Sequence, residues 1–127
     1  MNVFFDVQST LLTMEEAPRP RAREAFMMLK GSGHDLYLWS SGGAGYAATA
    51  ADLLGVADLV SDYFSKRSEP DVPVDFAVDD DASMVEAHGG YHIKPFGGDP
   101  WDKELLRAAE AVADASGSEF VTKSFRQ

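Results

Sequence analysis

Four stretches of this sequence set reactive side chains at or beside apolar runs. VFF (3–5) ends on Asp6, LYLW (36–39) on Ser40 and Ser41, and FAV (76–78) on Asp79, Asp80 and Asp81, while the loop SKRSEP offers Lys66 and Arg67. A carboxylate, a hydroxyl, a cation and a carboxylate cluster are the groups that a Mg2+-assisted phosphoryl transfer to an aspartate needs. In that chemistry Asp6 attacks phosphorus, Ser40 hydrogen-bonds a phosphoryl oxygen, and Lys66 offsets charge on nucleophile and phosphate. Asp80 or Asp79 holds the metal, because Mg2+ prefers hard oxygens and is bound by one or two carboxylates plus phosphate and water. Asp6 is the leading candidate, since a carboxylate behind three apolar residues needs a partner or a metal to offset its buried charge.

Each of these residues also has an ordinary reading. Residues 79–81 can cap a helix, Ser40 and Ser41 can be turn residues, and a loop lysine such as Lys66 is usually solvated. What separates the readings is the frame that positions them. The runs at 3–5, 36–39, 74–78 and 91–93 read as strands, and the stretches between them as helices. The first helix follows Pro18 and Pro20, with Ala22, Ala25, Phe26 and Leu29 on one face and Gly31 as its cap. The second runs from about Ala44 to Leu54 and stops at Gly55, and a third from Ala82 to His88 is capped by Asp81 or Asp80. The last takes Asp99 as N-cap and Pro100 as its first residue, and ends near Gly117. Residues 118–127 read as an edge strand or a flexible tail. Alternation of this kind argues for an α/β domain with a mainly parallel sheet, whose ligands bind at the carboxyl ends of the strands. That rule brings the candidates together.

Composition narrows the partners. The 127 residues suit a single domain, 1–127, and 45% hydrophobic content is that of a folded chain. No apolar run reaches the roughly 20 residues of a membrane span, and no secretory signal is evident. Without cysteine there are neither disulfides nor thiolate metal sites, and a cytoplasmic setting is the default. A net charge of -10 repels nucleic acid and anionic membrane, so a divalent cation is the expected charged partner.

The order of these residues resembles the haloacid dehalogenase superfamily along most of the chain. Its first motif, hhhDxDGTL, is similar to Phe4-Phe5-Asp6-Val7-Gln8-Ser9-Thr10-Leu11, and its second, a strand ending in Ser or Thr, to LYLWSSGG with Ser40. Its lysine corresponds to Lys66, or to Arg67 as a substitute, and its acidic pair to AVDDDASMVEAHGG with Asp80 best aligned. The resemblance implies a Rossmann-like three-layer α/β/α sandwich. It also implies a phosphohydrolase working through an aspartyl-phosphate, with Ser40, Ser41, Gly42 and Lys66 around the phosphate. Mg2+ would lie on Asp6, the main-chain carbonyl of Gln8 and Asp80 or Asp79. Two departures stand out. Gln8 replaces the acid that protonates the leaving group and activates water, a service contributing about 10²- to 10⁴-fold. The gaps between motifs are also too short for a cap domain, and by the resemblance capless members act on macromolecular or large phosphorylated substrates or build a lid by forming homo-oligomers.

Two alternatives accompany this reading. One is a degenerate member that binds a phosphorylated ligand or a protein partner without turnover. The other is a dinucleotide-binding turn, Gly43-x-Gly45-x-x-Ala48, with Asp62 as the ribose-binding acid. Of the histidines, His34, His88 and His92 read as structural, with His92 a possible neighbour of the site. Trp39 and Phe96 read as core, Met27 and Met28 as helix packing, and Trp101 as a surface patch. Arg19, Arg21 and Arg23 read as a solvated basic helix start able to steer an anion.

Overall fold

The computed structural model of the chain describes residues 1–117. The segment 118–127, expected as an edge strand or a flexible tail, lies outside the described residues. Five strands, β1 (Asn2–Asp6), β2 (Asp35–Ser40), β3 (Asp62–Ser65), β4 (Phe76–Asp79) and β5 (Gly90–His92), form one sheet in the order β3-β2-β1-β4-β5, and every pairing is parallel. Helices α1 (Ala22–Gly31), α2 (Ala44–Leu54), α3 (Ala82–His88) and α4 (Glu104–Ser116) connect or flank the strands. The result is a Rossmann-like three-layer α/β sandwich. No helix among the described residues is long and apolar enough to cross a membrane.

Strand alternation sorts the core into two layers. Val3, Phe5, Leu36, Leu38, Phe76 and Val78 are buried against α1, α2 and α4. Phe4, Tyr37 and Trp39 face the other way, where Phe64, Val72, Val74 and Met84 cover them. Phe4 packs at 4.8 Å on the Tyr37 ring and 4.9 Å from the Trp39 ring. This second layer is thin: α3 buries no residue fully, and much of the cover is the segment 66–75 that joins β3 to β4.

That segment also decides where the site lies. From β1 the chain moves outward through β2 to β3, then crosses back to add β4 on the other flank of β1. The carboxyl ends of β1 and β4 are therefore the point at which strand order reverses, where ligands of open parallel sheets bind. Only α1 and its leading loop separate β1 from β2, and only α2 and a short 3-10 turn (Ala57–Leu59) separate β2 from β3, so neither gap holds a cap domain.

Several sequence expectations need correction. β3 was not expected from the sequence, because this edge strand has no fully buried residue and so leaves no apolar run. The last helix starts at Glu104 rather than behind Asp99. Asp99 instead closes its own turn, accepting from Trp101 N at 2.9 Å while its carbonyl accepts from Asp102 N, and Asp102 Oδ1 then accepts from Glu104 N at 2.9 Å. Arg19 is not a solvated helix start. It is 2% exposed, donates to both carboxylate oxygens of Asp102 at 2.8 Å and to the Thr10 carbonyl at 3.1 Å, and lies over the Phe96 ring. Met27 is exposed and not helix packing, whereas Trp101 is 83% exposed, as a surface residue should be.

Candidate active site

Asp6 and Asp79 end adjacent strands, since Phe5 of β1 is in register with Val78 of β4. Both are buried, at 7% and 1% exposure. Lys66, the first residue after β3, is fixed by its own amide, which donates to the Ser40 carbonyl at 3.0 Å. Its Nζ reaches Asp6 Oδ1 at 2.8 Å and Asp79 Oδ2 at 2.7 Å. Asp80 completes the group: one oxygen from each of Asp6, Asp79 and Asp80 lies within 4.8 Å of the others. Arg67, by contrast, is exposed, and the ion pairs to Asp6 and Asp79 are made by Lys66.

Thr10, which stands in the first motif, is the residue that sequence reasoning missed. Ser9 adopts φ 64°, an unfavourable left-handed conformation for a residue with a Cβ, and the turn closes with the amides of Thr10, Leu11 and Leu12 on the Val7 carbonyl. The reversal returns Thr10 Oγ1 to donate to Asp6 Oδ2 at 3.0 Å, with Asp80 Oδ1 3.4 Å away. The spacing D-x-x-x-T was the available signal. The hydrogen bonds of this turn fall on the carbonyls of Val7 and Leu12, which leaves that of Gln8 outside them.

The electrostatics follow from burial. Desolvation, then the neighbouring Asp79 charge, lift Asp6 from 3.8 to about 7 against the opposing pull of Lys66. Burial works against the Lys66 ammonium too, but Asp6 and Asp79 more than offset it and its pKa is raised. Two of the three clustered carboxylates, Asp6 and Asp79, thus share one ammonium. Asp79 is fully engaged, with Oδ2 on Lys66 and Oδ1 accepting from Asp81 N at 2.9 Å. Asp80 is the freer carboxylate. A hard oxygen donor set carrying excess negative charge is the kind that could hold a divalent cation, with Asp6 and Asp80 free to ligate while Asp79 anchors Lys66.

Ser40 ends β2, one residue past Trp39, which is in register with Asp6. It is buried, and its Oγ accepts from Gly42 N at 3.0 Å, so Ser40, Ser41 and Gly42 form a tight turn before α2. The Tyr46 ring covers that turn, 3.2 Å from where a Cβ on Gly42 would lie. Gln8 is exposed and neighbours the Tyr46 phenol, lowering a pKa that burial and Glu16 raise. Gly43 and Gly45 open α2 as the glycine motif requires, but Asp62 starts β3, at the opposite end of the sheet from that turn. His92 Nε2 lies 3.0 Å from the Asp80 carbonyl, which makes it a neighbour of the site, while His34 is buried beside the chain's own amino group.

Among the described residues one buried side-chain polar atom is left over. Trp39 Nε1 has no hydrogen-bond partner among the described residues, a condition that costs about 1–3 kcal/mol. Lys66 Nζ lies 5.8 Å from the Trp39 ring centroid and the His88 ring meets it edge-on at 5.5 Å. No protein-family model and no curated protein matches the chain.

Proposed function

We propose that the chain is a capless, Mg2+-dependent phosphohydrolase of the haloacid dehalogenase type that works through an aspartyl-phosphate on Asp6. The observation that carries this reading is Lys66 held between Asp6 and Asp79 at the strand-order reversal, with Asp80 beside them. Mg2+, when bound, supplies charge neutralisation and polarisation of a phosphoryl oxygen. Lys66 holds Asp6 in place and offsets the charge that gathers as its oxygen approaches phosphorus. Thr10 restrains the other Asp6 oxygen, and the Ser40 turn offers hydroxyl and amide donors to the phosphoryl group. The Asp6 oxygen–phosphorus bond forms as the bond to the leaving oxygen breaks, and that oxygen takes its proton from water. A second water then attacks phosphorus and returns the Asp6 carboxylate and inorganic phosphate.

Gln8 sets the character of this cycle. An amide neither donates the proton in the first half nor accepts one in the second, so substrates with good leaving groups react first and the phosphorylated Asp6 persists. The same residue supports the second reading, a catalytically degenerate protein that binds a phosphorylated ligand. Mg2+-dependent release of phosphate from aryl and acyl phosphates separates the two. Activity lost in Asp6→Asn and raised in Gln8→Asp supports the hydrolase, activity that survives Asp6→Asn removes Asp6 as the nucleophile, and bound Mg2+ with no turnover in any variant favours the binding protein.

A further inference from the structure

By strand alternation Asp6, Asp79 and Trp39 project to the same face of the sheet, and Lys66 joins them, holding both carboxylates and lying over the indole. Beyond Lys66, between the segment 66–70 and α3, is a cavity of about 340 Å³. Trp39 forms part of its wall, with Arg67, Pro70, Met84 and His88 around it. None of these five residues takes part in the chemistry assigned to Asp6. The volume lies at the small end of the roughly 300–1,000 Å³ of ligand sites, room for one or two rings. Indole, imidazole, thioether and pyrrolidine surfaces hold flat π-systems, and a guanidinium stacks on them. Glu69 on the same wall opposes a second anionic group.

Gln8 points to the same ligand from a different direction. Without an acid at this position the leaving oxygen departs before it is protonated, which an aryl oxide tolerates because its ring spreads the charge and an alkoxide does not. Resting on the hydrolase reading above, we propose that this cavity receives the organic half of the substrate and that this half is a neutral aromatic or heteroaromatic ring, so that the substrate class is an aryl phosphate monoester. In its reaction the bond from Asp6 to phosphorus forms, the phosphorus–aryl oxygen bond breaks, and the aryl oxide leaves with the electron pair and is protonated by water.

The full-length, 15N-labelled protein in Mg2+ is titrated with inorganic phosphate, methylphosphonate and phenylphosphonate, following the indole N–H signals of its two tryptophans. Trp101→Phe assigns the signals, and the exposed Trp101 is the internal control. Phenylphosphonate is expected to shift the Trp39 signal alone and to bind about tenfold tighter than methylphosphonate. Arg67→Ala is expected to reduce that preference by about threefold or more while inorganic phosphate still binds. Equal affinity of the two phosphonates with Trp39 unmoved, while inorganic phosphate binds, overturns the cavity assignment and leaves the Asp6 site standing. A Trp39 shift from phenylphosphonate with no binding of inorganic phosphate or methylphosphonate overturns the phosphoryl site and with it the aryl phosphate. Absence of binding by all three overturns both.

Discussion

Asp6 carries a conflict that the sequence announces and the structure explains: three apolar residues bury a carboxylate next to Asp79, and one lysine serves both. Its pKa of about 7, against 3.8 for an ordinary aspartate, means that the folded chain holds this proton more tightly than the unfolded one. The stabilisation it brings is fully present below 3.8 and is lost as pH rises through about 7. Denaturation of the metal-free protein from pH 4 to 8 should therefore show wild type losing stability relative to Asp6→Asn, by a few kcal/mol, and Mg2+ should remove much of the difference. Asp6 should likewise titrate near 7 in carboxyl NMR without metal and well below it in Mg2+. Lys66→Gln should raise the Asp6 pKa further, because the opposing ammonium is gone. For Gln8 the expectation concerns rate: Gln8→Asp should speed hydrolysis of alkyl phosphates by about 10²-fold or more and that of activated aryl phosphates less, read as kcat against leaving-group pKa. Asp6, Ser40 and the acidic run could be named from sequence because each follows an apolar run, and Lys66 because its loop lies between the second and third of them. Thr10 could not be assigned a role, since its place depends on a left-handed turn at Ser9 that residue types do not announce.

Elements that end in strong local signals were legible. α2 stops at Gly55, where φ is 69°, and α3 is capped by Asp81, whose carboxylate accepts from Ser83 N. Where a tertiary contact competes, the local signal loses. Asp99 and Pro100 look like a helix start, yet Asp102, gripped by buried Arg19, sets the N-terminus of α4. That ion pair ties the loop after β1, through the Thr10 carbonyl, to the last helix. Arg19→Ala should cost about 3–5 kcal/mol in urea denaturation, the penalty for breaking a buried pair from one side, while Arg21→Ala, exposed, should cost about 0.5 kcal/mol or less. Gly90 is the tightest point of the sheet: a Cβ there would lie 1.9 Å from the Ala77 carbonyl oxygen. Gly90→Ala should destabilise by about 3 kcal/mol and disturb β5, and with it the contact of His92 to the Asp80 carbonyl.

At the scale of the molecule, the alternation of runs was enough to read a parallel α/β sheet, but not the strand order. The reversal that places β4 beside β1 depends on the segment 66–75, which has no periodicity to read, and on edge strand β3, which has no buried face. That reversal is what brings Asp6, Lys66, Asp79 and Asp80 together. It also leaves one face of the sheet thinly covered, and the cavity beside Lys66 opens there. A chain with net charge -10 and three clustered carboxylates should gain thermal stability from Mg2+ more than from an equal ionic strength of Na+, and Asp80→Asn should reduce that gain. The central claim is that Asp6 takes a phosphoryl group and, lacking an acid at position 8, releases it slowly. Intact-mass spectrometry of the protein incubated with acetyl phosphate and Mg2+ tests it most directly. A mass gain of one phosphoryl group, mapped to Asp6, dependent on Mg2+ and shortened in lifetime by Gln8→Asp, is the predicted result. An unmodified chain in both wild type and Gln8→Asp, with no phosphate released, contradicts it.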